Sequence, residues 1–168
     1  MHMDRGASLA AALILVVGLG AFAYWVMTRA GAGEGVSVGD TAVDIQFTAI
    51  DGSVFRLSDQ RGKVVVVDFI TTSCSICVEE FEVLRRLTGR SSVRVVSINL
   101  DGVNQADLAA YAQHFEVAWT LGGSRAAGTD YKVTGVPTLI VVDRGGFIRY
   151  RGYDTAFEVL DQVISQYG

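Results

Sequence analysis

The stretch that decides the reading runs from Val64 to Cys77, "VVVVDFITTSCSIC". Its first half is apolar almost throughout, as a strand covered on both faces would be. Its second half ends on Cys74 and Cys77, the two cysteines of a 168-residue chain. A pair at that spacing can grip a metal, staple a loop or exchange electrons with another thiol. Asp68 interrupts the apolar run, where a carboxyl group is costly to bury unless it has a task.

Each use of the pair makes a different demand on the rest of the chain. A closed zinc site takes four Cys or His ligands. Besides the cysteines the chain offers His2, beyond a long apolar segment, and His114, late in a predicted helix. No metal and no cofactor are therefore expected. A staple across so short a loop stabilises by only roughly 2 kcal/mol, and a domain with this much apolar strand does not need it. Electron exchange uses what the other two leave idle. The pair sits where a buried strand gives way to a helix, so Cys74 should meet unpaired backbone N–H groups and the positive end of the helix dipole. Both favour the thiolate, the attacking species in disulfide exchange. Cys77, about one turn further, is placed to resolve the mixed disulfide. The alternative from another class is a copper(I) chaperone or a non-catalytic binding module, and the copper reading wants a third soft ligand beside the pair.

Working outward, "DIQFTAIDGSVFRL" (Asp44–Leu57) reads as a hairpin about Asp51-Gly52, a dipeptide suited to positive φ. After the cysteines, Cys77, Phe81, Leu84 and Thr88 recur at helical spacing, with Glu82 and Arg86 set as an i,i+4 pair. "VRVVSINL" (Val93–Leu100) is a second apolar strand, and "NQADLAAYAQHF" (Asn104–Phe115) a helix. "TLIVVD" and "FIRYRG" flank the turn Arg144–Gly146 as a further hairpin. "TAFEVLDQVISQY" closes the chain as an amphipathic helix with Thr155 as its N-cap. Two strands joined through a helix lie parallel with a right-handed crossover, and the late hairpin adds antiparallel strands. An α/β sandwich with a mixed central sheet follows.

Leu9 to Met27 carries no charged residue. As a helix that segment would rise roughly 28 Å, close to the ~30 Å hydrocarbon core of a bilayer, and Tyr24 and Trp25 suit its headgroup end. The expected organisation is a short tail over 1–8, a single transmembrane anchor over 9–28 in contact with membrane lipid, a flexible linker over 29–37 and one folded domain over 38–168. Residues 29–168 are expected outside the cytoplasm, at the cell membrane. A net charge of −4 provides no basic field for nucleic acid.

The chain's single proline, Pro137, stands in "YKVTGVPTLIVVD". Together with "VDFITTSCSIC" this stretch resembles the thioredoxin superfamily over about residues 38–168. The resemblance implies a thioredoxin-like sandwich and a cis Pro137 facing the cysteines. The apolar segment, the added N-terminal hairpin, "CSICVEEF" and the long connection from Asp101 to Tyr131 are similar to the membrane-anchored TlpA/ResA-like branch. That resemblance implies a thiol-disulfide oxidoreductase acting on protein thiols and disulfides, supplied by a membrane electron donor of thiol-transfer type, often in cytochrome c maturation. Several positions depart from the pattern. Ser73 replaces a tryptophan, Ser75-Ile76 contains no proline, Val78 replaces a cation, Glu82 a proline and Ser97 a lysine. A peroxiredoxin would want a proline upstream of the cysteine loop, and Pro137 lies downstream.

Cys74 and Cys77 are thus the expected redox disulfide. Asp68 and Glu80 are the expected proton relays, since a buried carboxyl group has a raised pKa. Val136, Pro137 and Thr138 are the expected peptide-binding segment, offering strand-like backbone contacts.

Overall fold

The computed structural model describes Gly20 and residues 33–168. The expected anchor over 9–28 lies, Gly20 apart, outside the described residues. Among the described residues no helix is long and apolar enough to cross a membrane.

Strands β1 (Glu34–Gly35) and β2 (Thr41–Ala42) form a short parallel pair. Pairing thus begins at Glu34, inside the stretch read as a linker. Strands β3 (Gln46–Thr48) and β4 (Val54–Arg56) form the expected antiparallel hairpin. Gly52 takes φ +83° at its turn, a backbone geometry that glycine adopts without strain.

The main sheet begins with β5 (Val64–Ile70), followed by helix α1 (Ser75–Thr88) and strand β6 (Val93–Asn99). Helix α2 (Gln105–His114), strand β7 (Thr120–Gly123) and the short helix α3 (Arg125–Asp130) fill the long connection. The hairpin β8 (Thr138–Val142) and β9 (Ile148–Gly152) leads into the last helix, α4 (Phe157–Tyr167). The sheet order is β7-β6-β5-β8-β9. β5, β6 and β7 run parallel, while β8 runs antiparallel to both β5 and β9.

Every residue of β5 is buried, because the strand is central and both its faces are covered. Alternation along the strand divides the core. Val65, Val67 and Phe69 pack with Phe47, Phe55 and Tyr131 on one face. Val64, Val66 and Ile70 pack with Phe81, Leu84, Leu108 and Leu160 on the other. By the same alternation Asp68 points to the second face, the one that also holds Cys77.

The structure adds two elements and corrects two local expectations. Strand β7 and helix α3 carry little signal in the sequence, since "TLGG" has little apolar periodicity and α3 is only a turn and a half long. Glu82 pairs with Arg85 at 2.5 Å, while Arg86 lies over the Phe157 ring at 3.4 Å. A cation can take an aromatic face on a packed helix in preference to a solvated carboxylate. Thr155 is not the cap of α4; Ala156 occupies that position without a side-chain bond. Thr155 is instead buried, its hydroxyl 3.1 Å from that of Tyr150.

Candidate active site

Helix α1 starts directly after the carboxyl end of β5, with Cys74 as its N-cap. The Cys77 N–H donates to Cys74 Sγ at 3.1 Å, so one of the otherwise unpaired first-turn amides of the helix is spent on this sulfur. Cys74 and Cys77 are joined as a disulfide with a Cα–Cα distance of 5.3 Å. Their exposures differ: Cys77 is fully buried, whereas Cys74 is half-buried beside the exposed Ser73 and Ser75. An incoming sulfur therefore meets Cys74 first.

The two carboxyl groups singled out in the sequence lie beneath this helix start. Asp68 is completely buried and accepts a hydrogen bond from Ser97 Oγ at 2.7 Å on Oδ2. Its Oδ1 has no hydrogen-bond partner among the described residues. Burial pushes its pKa well above the usual carboxylate range, the charge of Glu80 adds to this, and the Ser97 bond partly offsets both. Glu80 is on the same face of α1 as Cys77 and is 3% exposed. Glu80 is therefore a core carboxyl group and not a solvated one. Glu80 Oε1 accepts from the Thr155 N–H at 3.0 Å. Burial pushes Glu80 up to about 7; the Thr155 bond lowers it and the charge of Asp154 raises it. By contrast, Glu79 is exposed and the Glu82 side chain is 71% exposed.

The Val136–Pro137 bond is cis. Thr138 pairs with Phe69 near the carboxyl end of β5, so Pro137 sits at the end of the sheet from which the cysteine loop departs. Val136 and Cys74 pack against the same core cluster. Pro137 and Thr138 are buried and Val136 is half-buried. The Thr138 hydroxyl donates to the Gly135 carbonyl at 2.7 Å, which leaves Val136 as the most open of the three.

Two participants escaped sequence reasoning. Trp119, just before β7, donates its indole N–H to Ser97 Oγ at 2.9 Å. Thr155 supplies a backbone amide to Glu80 across 75 positions of sequence. Backbone donors leave no trace in residue identity. Trp119 could have been found only by knowing that β7 pairs with β6, which brings Leu121 opposite Ser97.

Comparison with known proteins places these features in a family. The AhpC/TSA family signature matches residues 38–151. The thiol-disulfide oxidoreductase ResA of Geobacillus kaustophilus is 29% identical over 142 residues, covering 81% of each chain. The methylamine utilization protein MauD of Paracoccus denitrificans is 23% identical over 78% of this chain and 66% of its own. A solved structure from Chlorobium tepidum, assigned as the thiol:disulfide interchange protein DsbE, superposes with a TM-score of 0.72 at 26% identity. That match covers 79% of this chain and 98% of the Chlorobium chain. The fold is thioredoxin-like, and the enzyme class is thiol-disulfide oxidoreductase. By its sequence signature and this fold, the chain belongs to the AhpC/TSA family.

Proposed function

We propose that the chain is a membrane-anchored oxidoreductase that exchanges electrons with disulfides of proteins outside the cytoplasm through Cys74 and Cys77. The observation that carries this reading is the unequal burial of a bonded cysteine pair at a helix mouth, beside two buried carboxyl groups whose pKa burial raises. The uncharged segment Leu9–Met27 supports the anchor. The ResA-like resemblance supports a thiol-transferring membrane donor and a setting in cytochrome c maturation.

In the reduced protein, the Cys74 thiolate attacks one sulfur of the target disulfide, and the other target sulfur leaves as a thiolate and takes a proton. Helix α1 assists through its N-terminal dipole and the Cys77 N–H. Cys77 then loses its proton to a carboxylate and attacks Cys74 Sγ. The Cys74–Cys77 bond forms, the second target thiolate departs, and two electrons have passed to the target. Glu80, with its pKa raised to about 7, is the base matched to neutral pH. Asp68, whose burial favours the protonated form, serves as a second proton store. Val136 offers backbone groups to the bound peptide.

Replacing Cys77 with serine in the full chain should trap mixed disulfides through Cys74, visible on non-reducing gels. The Cys74→Ser protein should trap none. Equal trapping by both would overturn the division of roles. Digestion of intact spheroplasts by external protease tests the placement, with residues 34–168 expected to be degraded.

A further inference from the structure

The bond from Trp119 to Ser97 does more than fill a donor. An indole N–H can only donate, whereas a hydroxyl carries one hydrogen and accepts through its lone pairs. Trp119 Nε1 lies 2.9 Å from Ser97 Oγ, and Ser97 Oγ lies 2.7 Å from Asp68 Oδ2. With the indole hydrogen occupying a lone pair of Oγ, the hydroxyl hydrogen must point elsewhere. Among the described residues its one acceptor is Asp68 Oδ2. The polarity of the chain is therefore set at its outer end: indole to hydroxyl, hydroxyl to carboxyl.

We propose that Trp119 is a positioning residue for Asp68, locking the Ser97 hydroxyl as a donor to Oδ2 and so confining the exchangeable proton of Asp68 to Oδ1. This rests on the reading of Asp68 as a proton reservoir. Oδ1 is buried and without a partner among the described residues, so it is the oxygen free to gain or lose a proton. Two neutral groups thus do the work of a cation beside the acid: each weakens the carboxyl's hold on its proton without bringing a charge into the core. The arrangement is rigid. Ser97 is fully buried in β6 opposite Asp68 in β5, and the Trp119 ring packs edge-on against Phe81 of α1 at 5.5 Å between centroids. The outer side of Trp119 lines a surface groove with Arg94, Val117 and Ala118.

The titratable groups facing Asp68 are few. Glu80 of α1 raises it by charge. The Tyr111 hydroxyl of α2, itself pushed up to about 12 by burial and by the charges of Asp68 and Asp101, stays neutral. Opposite Asp68 on β8 stands Leu139, and the bonded cysteines do not titrate. The effect of Trp119 can thus be read without a competing cation.

The test is the carboxyl titration of Asp68, followed by carbon-13 NMR in the full chain as wild type, Trp119→Phe, Ser97→Ala and the double variant. Losing a hydrogen bond to a charged group corresponds to about one to two pH units, so Ser97→Ala should raise the midpoint by about that much. Trp119→Phe should raise it by less, and should add nothing once Ser97 is alanine. An equal Trp119→Phe shift in both backgrounds, or no shift with Ser97 present, overturns the proposal. If a variant fails to fold, the Trp25→Phe protein retains a single indole, whose nitrogen-15 shift should follow the ionisation of Asp68. A flat indole signal through that titration overturns it equally. The pH profile of release from the Cys74 mixed disulfide separates the two readings. If the carboxyl midpoint moves and the release profile does not, the positioning stands and the reservoir role fails.

Discussion

Glu80 is the residue whose chemistry can be worked out furthest. Its carboxyl group is neutral in the folded and unfolded chain below about pH 4.5 and costs nothing there. As the pH rises towards 7 the unfolded chain ionises while the folded one keeps its proton, so stability falls through that window, by roughly 3 kcal/mol for this group. Glu80→Gln should flatten part of that fall in urea titrations run across the pH range, Asp68 supplying the remainder. The same substitution removes the base for Cys77, and release of the mixed disulfide at neutral pH should slow by about a hundredfold or more. A Glu80→Gln protein with the parent's slope and release rate would show that the carboxyl does neither job.

Among the elements, β7 is the one packed with least tolerance. A Cβ at Gly122 would stand 2.7 Å from the Thr48 carbonyl and against the Phe47 ring. The hairpin β3–β4 closes onto the sheet there through the Ala49–Gly122 bridge. Gly122→Ala should cost about 1–3 kcal/mol and lower the thermal midpoint by several degrees, as calorimetry would measure. A milder loss, about 1 kcal/mol, is expected for Asn104→Ala, since Asn104 Oδ1 caps α2 through the Asp107 N–H at 2.9 Å. These elements also mark what could be read in advance. β5, β6, α1 and the two hairpins announce themselves by apolar run, helical spacing and turn glycines, and Asp68, Glu80 and the cysteines fall on them in register. β7 has one large apolar side chain, Leu121, and its strand character comes from pairing with β6, a tertiary fact. The Glu82–Arg86 spacing misleads for the same reason: α4 brings Phe157 beneath Arg86, and spacing within one helix carries no information about it.

At the scale of the molecule, Glu34–Gly168 forms a compact unit of its own with a core on each face of β5. A chain beginning at Glu34 should therefore unfold in one transition seen alike by circular dichroism and Trp119 fluorescence. Two transitions would contradict it. Asp68 and Glu80 lie on the cysteine side of the sheet, where a negative charge on Glu80 opposes a thiolate and is expected to leave the reduced pair less stabilised than in strong oxidants. Equilibration with glutathione should give a reduction potential nearer to about −270 mV than to about −120 mV.

The unequal burial of the two sulfurs has an outcome beyond catalysis. Once the pair is reduced, a bulky alkylating reagent should modify Cys74 and stop at one adduct per molecule, because Cys77 can be approached only by its neighbour. Foreign disulfides face the same shutter. When one exchanges with the reduced Cys74, half of it stays as a mixed disulfide and the other half leaves as a thiol. The sheltered Cys77 then attacks Cys74 Sγ, the Cys74–Cys77 bond forms and the attached half departs as a thiol. The protein thus clears itself of unwanted conjugates by the same step that completes its turnover.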